Sequence, residues 1–324
     1  MMENRDVLVG IDGGGTRSRA LCVAMDGTVL AETSGAGTNP DYNSAALANF
    51  RSLVDDVLQM AGRTCSDIAA LGAGLAGLDE PNDHEWALEM TGLPGLRRNA
   101  VYVNDSVVAQ MGAFAMKPGI VVVLSTGAIT VGITESDDVV CNYDFNHYAR
   151  ASARFLSHDA IFRLLTEPLK EADQPFLSNV LAFWQVDNLH GLRDVAKGYK
   201  HSDRESSVKR YGQMAPLLTS AAAAGSPVAM RTCDHGADGT ALGVRIVASC
   251  FESDTVPVAL NGGLALSDYM QQAVRAYLGR PSFKQFAVVE PLLSPTAGAV
   301  LLAARELGAD CVEAVRTGLL TGSI

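Results

Sequence analysis

An aspartate and three consecutive glycines, Asp12-Gly13-Gly14-Gly15, close one apolar run, and Thr16 leads directly into the next. Glycine has no Cβ, so such a turn can take up positive φ and point its N–H groups at an anion that comes closer than any side chain would permit. The segment is a candidate phosphate cradle. Asp12 repels phosphate directly, but it suits a hydrated Mg²⁺ bridging to phosphate, held through water, and Thr16 adds a hydroxyl donor. The plainer reading is a tight glycine-rich hairpin, against which stands the use of three glycines where a two-residue turn needs one or two.

Most nucleotide-binding glycine loops join a strand to a helix, whereas this one joins two strands. Residues 7–11, 18–25 and 28–33 read as consecutive strands, with Asp26-Gly27 as the turn of a hairpin. Between residues 43 and 61, Leu47, Phe50, Val54, Val57, Leu58 and Ala61 recur at three- and four-residue steps and predict a helix laid on the sheet. Strands at 68–74 and 101–103 follow, the second feeding a helix whose Val107, Val108, Met111 and Ala115 share a face. After Lys117-Pro118-Gly119 the pattern restarts: strand 119–124, turn Ser125-Thr126-Gly127, strand 128–133. This recurrence predicts two related halves with a cleft between them. Residues 151–224 read as mostly helical, including the alanine run at 221–224. Late strands at 257–260 and 283–289 flank a helix that Ser267 caps and Gly279 ends. The fold class is α/β.

A chain of 324 residues is long enough for two domains. Its formal net charge of −11 excludes a nucleic-acid surface, which needs clustered Lys and Arg, and leaves phosphate to be held by backbone N–H groups or through a metal. The six cysteines, at 22, 65, 141, 233, 250 and 311, have no C-x-x-C spacing, so they predict buried free thiols in a reducing cytoplasm rather than a zinc or iron-sulfur site. With no secretory segment and no membrane-length apolar run, a soluble cytoplasmic protein is expected. A P-loop is excluded because no G-x-x-x-x-G-K-[ST] occurs. "GAGLAG" at 72–77 matches a dinucleotide fingerprint by letter, but Leu-Asp-Glu-Pro-Asn-Asp follows it instead of a helix start.

The order of these pieces resembles the sugar kinase, Hsp70 and actin superfamily, and within it the N-acetylglucosamine kinase and BadF/BadG/BcrA/BcrD ATPase-like family, over most of the chain. "DGGGT" (Asp12, Gly13, Gly14, Gly15, Thr16) resembles the first phosphate loop. "STGA" (Ser125, Thr126, Gly127, Ala128) resembles the second, and "NGGLA" (Asn261, Gly262, Gly263 onward) the adenosine turn. "SPTAGAV" from Ser294 is similar to the family's C-terminal connecting helix. The resemblance implies a two-lobed actin-like ATPase fold of duplicated ribonuclease H-like domains with a nucleotide cleft between the lobes. Residues 1–118 would form one lobe and 119–324 the other, with the chain from about 295 packing back on the first. It implies ATP and Mg²⁺ as cofactors, a homodimer, and a small sugar-like acceptor, with neither nucleic acid nor membrane as partner. Asn39, Gly77, Asn104 and Asp105 would bind the substrate. Transfer of a γ-phosphoryl to a hydroxyl needs a carboxylate to accept the proton, and Asp105 is the candidate base; as an ordinary strand-to-helix cap it has a second reading.

Departures from the family pattern concentrate on the acceptor. Ser125 and Ala128 replace the outer residues of a G-T-G-S loop, so a hydroxyl is missing and the first position loses its freedom at positive φ. Ala76 stands where these sugar kinases commonly have Ser, and Ala149 and Arg150 fall where they have an acidic pair. His147, Tyr148 and Arg150 then either recognise something anionic or acylated or form a solvated loop. The expected function is a small-molecule kinase acting on an amino sugar such as N-acetylglucosamine or glucosamine, or on a related metabolite. The alternatives are a BadF/BadG-type ATPase and a nucleotide-binding regulator.

Overall fold

The structure, a computed structural model, describes residues 5–79, 81–98, 100–198 and 204–322. The chain divides into two compact units. One comprises the described residues up to Gly119 and from Glu290 onward; the other runs from Ile120 to Val289.

In the first unit β1 (Val7–Gly13), β2 (Arg17–Ala24), β3 (Val29–Ala36), β4 (Ile68–Leu75) and β5 (Val101–Asn104) form one sheet in the order β3-β2-β1-β4-β5. β1 runs antiparallel to β2 and parallel to β4. Its continuous apolar run is explained by burial on both faces. Val7, Val9 and Ile11 pack with Phe50, Val54 and Val57 of α1 (Ala46–Met60), while Leu8 packs with Val300 and Leu301 near the C-terminus. α2 (His84–Thr91) and α3 (Asp105–Ala113) complete the N-terminal part. α3 is buried from Ser106 to Ala113, so it reads apolar on every side rather than on one face. It ends two residues before Ala115, which turns left-handed at φ 48° and is followed by Met116 at φ 68°.

The second unit repeats the plan: β6 (Gly119–Leu124), β7 (Ala128–Ile133), β8 (Val139–Cys141), β9 (Thr255–Asn261) and β10 (Gln285–Val289) lie in the order β10-β9-β6-β7-β8. Read from the antiparallel side, the two sheets have the same strand order, as the recurring strand-turn-strand pattern predicts. Helices α4 (Ala153–Thr166), α5 (Gln174–Trp184), α6 (Leu189–Gly198), α7 (Arg204–Ala223), α8 (Pro227–Ala248) and α9 (Asp268–Leu278) enclose one core with this sheet. The predicted helical stretch is thus found, apart from residues 199–203, which lie outside the described residues. The alanine run belongs to α7, with Ala222 buried in that core. The duplicated α/β fold expected from the sequence is the fold of this chain. From Ser294 the chain forms α10 (Pro295–Arg305) and α11 (Ala309–Gly322) within the first unit.

Three local expectations are corrected. Ser267 stands at the N-cap of α9, but its hydroxyl donates to Leu264 O at 2.8 Å, satisfying the preceding turn instead of the helix. Gly279 ends α9 in right-handed geometry at φ −71°, so the position makes no use of glycine's positive φ. Of the thiols only Cys22 and Cys233 are buried, pushed up by that burial to about 11 and about 12, while Cys250 is exposed. No described helix is long and apolar enough to cross a membrane.

A buried carboxylate organises the helical part of the second unit. Asp173, fully inaccessible, accepts from Ser226 Oγ at 2.6 Å, Val228 N at 3.0 Å and Lys170 N at 2.9 Å, joining the turn before α5 to the start of α8. Burial opposes its charge, but these donors outweigh burial and hold its carboxyl below the ordinary range. Its stabilising contribution is therefore complete above the unfolded Asp pKa and is lost as pH falls through the lower folded one. Asp173→Ala should cost roughly 3 kcal/mol by leaving buried donors unpaired. Melting curves from pH 7 down to pH 2 should show that gap closing only below about pH 4.

Candidate functional site

The carboxyl ends of β1, β4 and β5 lie side by side, where ligands of open parallel sheets collect. Asp12 pairs across to Gly74 of β4 and to Arg19 of β2, and Leu75 pairs with Asn104. The Arg19 guanidinium lies 3.8 Å from Asp12 Oδ2. Burial nevertheless pushes Asp12 up to about 6, with Arg19 pulling the other way.

The turn after Asp12 is held from outside. Thr38 N donates to Gly14 O at 3.0 Å and Ala76 N to Gly13 O at 2.8 Å. None of Gly13, Gly14 and Gly15 has positive φ, which corrects the reason proposed for them. What requires glycine is space: a Cβ on Gly13 would lie 2.6 Å from Thr38 Oγ1, and one on Gly14 2.5 Å from Arg17 O. Gly15, whose Cβ would meet only Tyr42 at 3.6 Å, is not so constrained. The N–H groups of Gly14, Gly15 and Thr16 donate to no other described residue, and Thr16 is exposed. Three adjacent free donors are what an oxyanion needs.

Asn39 is buried; its Oδ1 accepts from Asp41 N at 2.8 Å, and its Nδ2 lies against Gly77, where an added Cβ would be 2.7 Å away. Gly77, at φ 87°, is a position that does need glycine's left-handed freedom. Asn104 behaves differently from a free substrate ligand. Its Oδ1 accepts from Ser106 N at 2.9 Å and from the Ser106 hydroxyl, and its Nδ2 donates to Asp79 Oδ1 at 2.8 Å and Leu78 O at 3.3 Å. Asn104 is thus the N-cap of α3 and a strap on the turn after Gly77. Asp105, the next residue, is released from the capping role that was its second reading. Its carboxyl is pushed up to about 7 by burial, then by the charges of Asp12 and Asp79, against the N–H groups of Ser106 and its own backbone.

In the second unit, the turn Ser125-Thr126-Gly127 joins β6 to β7, with Ser125 N donating to Gly127 O at 2.8 Å. Thr126 and Gly127 N–H donate to no described residue. Ser125 is not left-handed, so serine costs nothing at this position. Asn261 ends β9 opposite Val123, and its Oδ1 accepts from Gly262 N at 2.8 Å. Gly262 turns left-handed at φ 92°, Gly263 is exposed, and Leu264 N and Ala265 N both donate to Leu124 O, at 3.2 and 3.3 Å. The two expected nucleotide turns of this unit are therefore stitched together at Leu124.

The model of the BadF/BadG/BcrA/BcrD ATPase family matches residues 9–303. The chain belongs to that family. An N-acetylmuramic acid/N-acetylglucosamine kinase of Clostridium acetobutylicum is 21% identical over 313 residues, 92% of this chain and 98% of that protein. A solved Chromobacterium violaceum structure, provisionally named an N-acetylglucosamine kinase, is 26% identical at a TM-score of 0.72, covering 93% of this chain and 99% of its own. A ROK family glucokinase of Streptomyces griseus, crystallised with glucose and AMPPNP, shares the fold at 19% identity and a TM-score of 0.60, over 92% of this chain and 99% of its own.

In this BadF-family chain, sequence reasoning missed two charged residues. Arg19 is set opposite Asp12 by the hairpin register, in which Gly13 pairs with Ser18 and four residues lie between them. Asp79 follows Gly77 by two, but only the fold brings it to Asn104. Among the described residues no group of three His, Cys, Asp or Glu is arranged to hold a metal directly. A Mg²⁺ ion keeps several waters and takes one or two carboxylates besides phosphate, so the all-oxygen, crowded carboxylates here fit it with Asp12 as the holder through water.

A raised carboxylate weakens the fold. Because the folded pKa of Asp105 exceeds the unfolded one, its contribution is full below the unfolded pKa and lost as pH rises toward about 7. Asp105→Asn should therefore melt higher than the parent at pH 8, by at least about 1 kcal/mol, and the gain should vanish near pH 4. Thermal unfolding of both proteins at the two pH values measures this.

Proposed function

We propose that this protein is an ATP-dependent phosphotransferase that moves the γ-phosphoryl of Mg-ATP to a hydroxyl of an amino sugar, N-acetylglucosamine- or glucosamine-like, or of a related small metabolite. The observation that carries this reading is Asp105: a carboxylate relieved of capping by Asn104, at the end of a parallel strand, with its pKa drawn to about 7. A base is most effective when its pKa lies near the working pH. The acceptor hydroxyl gives its proton to Asp105 as its oxygen bonds to the γ-phosphorus, and the bond from phosphorus to the bridging oxygen breaks to release ADP.

The other residues have proposed roles that follow from their donors. Gly14, Gly15 and Thr16 in the first unit, and Thr126 and Gly127 in the second, offer N–H groups to phosphate oxygens, and Asn261 to Gly263 form the adenosine turn. Bound Mg²⁺ would supply charge neutralisation, held by Asp12 through water. Asn39 and Gly77 face the acceptor; Asn104 positions Asp105 instead of binding sugar. The names of the relatives support the acceptor class. A cytoplasmic homodimer belongs to the same reading.

Asp105→Asn should lower single-turnover transfer by roughly 10²- to 10⁴-fold while nucleotide binding persists. Transfer at the parent's rate would remove Asp105 as base. ATP hydrolysis without transfer to any of a panel of sugars would favour a BadF/BadG-type ATPase, and nucleotide binding without turnover a regulator. Asp12→Ala should weaken ATP binding in calorimetry with Mg²⁺ present and leave metal-free binding unchanged or tighter, since a negative charge is removed. Equal losses in both conditions would take the metal role from Asp12.

A further inference from the structure

We infer that Arg150 and Arg154, at the start of α4, form a binding site for an oxyanion carried by a small molecule, a carboxylate or a phosphate. The two guanidinia lie 4.9 and 4.5 Å from the centroid of one ring, that of Phe155. Arg150 spends one nitrogen on Asp159 at 3.0 Å and remains half-exposed, while Arg154 makes no ion pair or hydrogen bond with any described residue. Both stand at the positive end of a 14-residue helix whose first turn contains no acidic residue. Cations there are placed against the helix dipole, which favours anions. In a chain of net charge −11, two arginines crowded on one ring with a single carboxylate between them are an arrangement with a charge missing. The same field reaches His158, one turn further on, which burial first and then Arg150 and Arg154 hold down at about 4.

The surroundings are fixed. Ala153 N donates to Ser125 O at 2.8 Å, tying the start of α4 to the turn whose Thr126 and Gly127 N–H groups are free. Tyr143 OH donates to Ala128 O at 2.6 Å, and its ring stacks at 5.1 Å on that of the exposed Tyr148, two residues before Arg150 in the chain. The planar fork of Arg suits carboxylate and phosphate equally. The anion then comes either from a small-molecule acceptor or from a nucleotide.

Calorimetry on the full chain separates the sources. The probes are N-acetylglucosamine, its carboxylate-bearing 3-O-lactyl ether, ATP, and inorganic phosphate, each against the parent, Arg150→Gln and Arg154→Gln. At least one anionic probe should bind the parent, more weakly as salt rises, and each variant should lose roughly 10- to 100-fold for that probe, with N-acetylglucosamine unaffected. A loss confined to the lactyl ether identifies an acceptor carboxylate; a loss confined to ATP or phosphate identifies a phosphate. Parent-like affinities throughout overturn the site, as does failure of every anion to bind the parent. Melting curves guard against a purely structural role: removing an unneutralised cation should leave Tm unchanged or higher, and a lower Tm in Arg154→Gln with unchanged binding would mean that the guanidinium serves only to pack on Phe155. No arm requires phosphoryl transfer, so failure here and failure of the transferase reading are distinguishable.

Discussion

The geometry around Asp105 depends on how closely backbone can approach backbone at α3. Gly74 of β4 lets α3 lie against the strand end; its missing Cβ would clash with Val108 and lie 3.1 Å from the Asp105 Cα. On the opposite side Gly298 of α10 packs on Val108 O and Gly112 of α3 on Ser294 O, so that any side chain at either glycine would collide with main chain. α3 is thereby fixed between a strand and a helix by three positions without side chains. The helix start, and with it Asp105, cannot shift without opening both contacts. This is why a helix distant in sequence, starting at Pro295, belongs to the positioning of a carboxylate at residue 105.

That rigid seat makes an unfavourable electrostatic arrangement tenable. Burial, and after it the charges of Asp12 and Asp79, pushes Asp105 up to about 7, and burial against the pull of Arg19 pushes Asp12 up to about 6. Asn104 serves both ends of this arrangement, capping α3 with its carbonyl oxygen and restraining Asp79 with its amide. Concentrated strain of this kind is characteristic of sites that act on charge, where stability is given up locally for function.

Much of this was legible in the sequence. Period and punctuation fix the strands, α1 and the duplicated plan, because each strand's burial is set by its own residues and each turn by its own glycines. The glycine-rich turn and the strand-end Asn104-Asp105 pair are legible for the same reason. What the sequence does not carry is the identity of the neighbour. Gly13 and Gly14 were read as sources of positive φ, whereas they yield space to Thr38 and Arg17 O. Asn104 was read as a ligand, but its partners Asp79 and Ser106 occupy it. Ser267 looked like a cap, but its hydroxyl turns back to Leu264. Each miss concerns which of two available partners a polar group takes, and that choice is made by tertiary packing.

The duplication also clarifies what the two units no longer share. Each places a short turn after its first strand, at 14–16 and 125–127, and each leaves consecutive N–H groups there without an acceptor among the described residues. What the two turns have in common is uncharged backbone donors. Charge has diverged around them: the first turn is preceded by Asp12 and neighboured by Asp105, while the second follows Leu124 and is tied through Ser125 to Ala153, the first residue of a helix whose second is Arg154. A backbone cradle alone binds phosphate but does not distinguish metal from anion or donor from acceptor. The two turns are thus flanked by opposite charge, carboxylates in one copy and guanidinia in the other, on side chains that neither strand pattern nor turn geometry dictates.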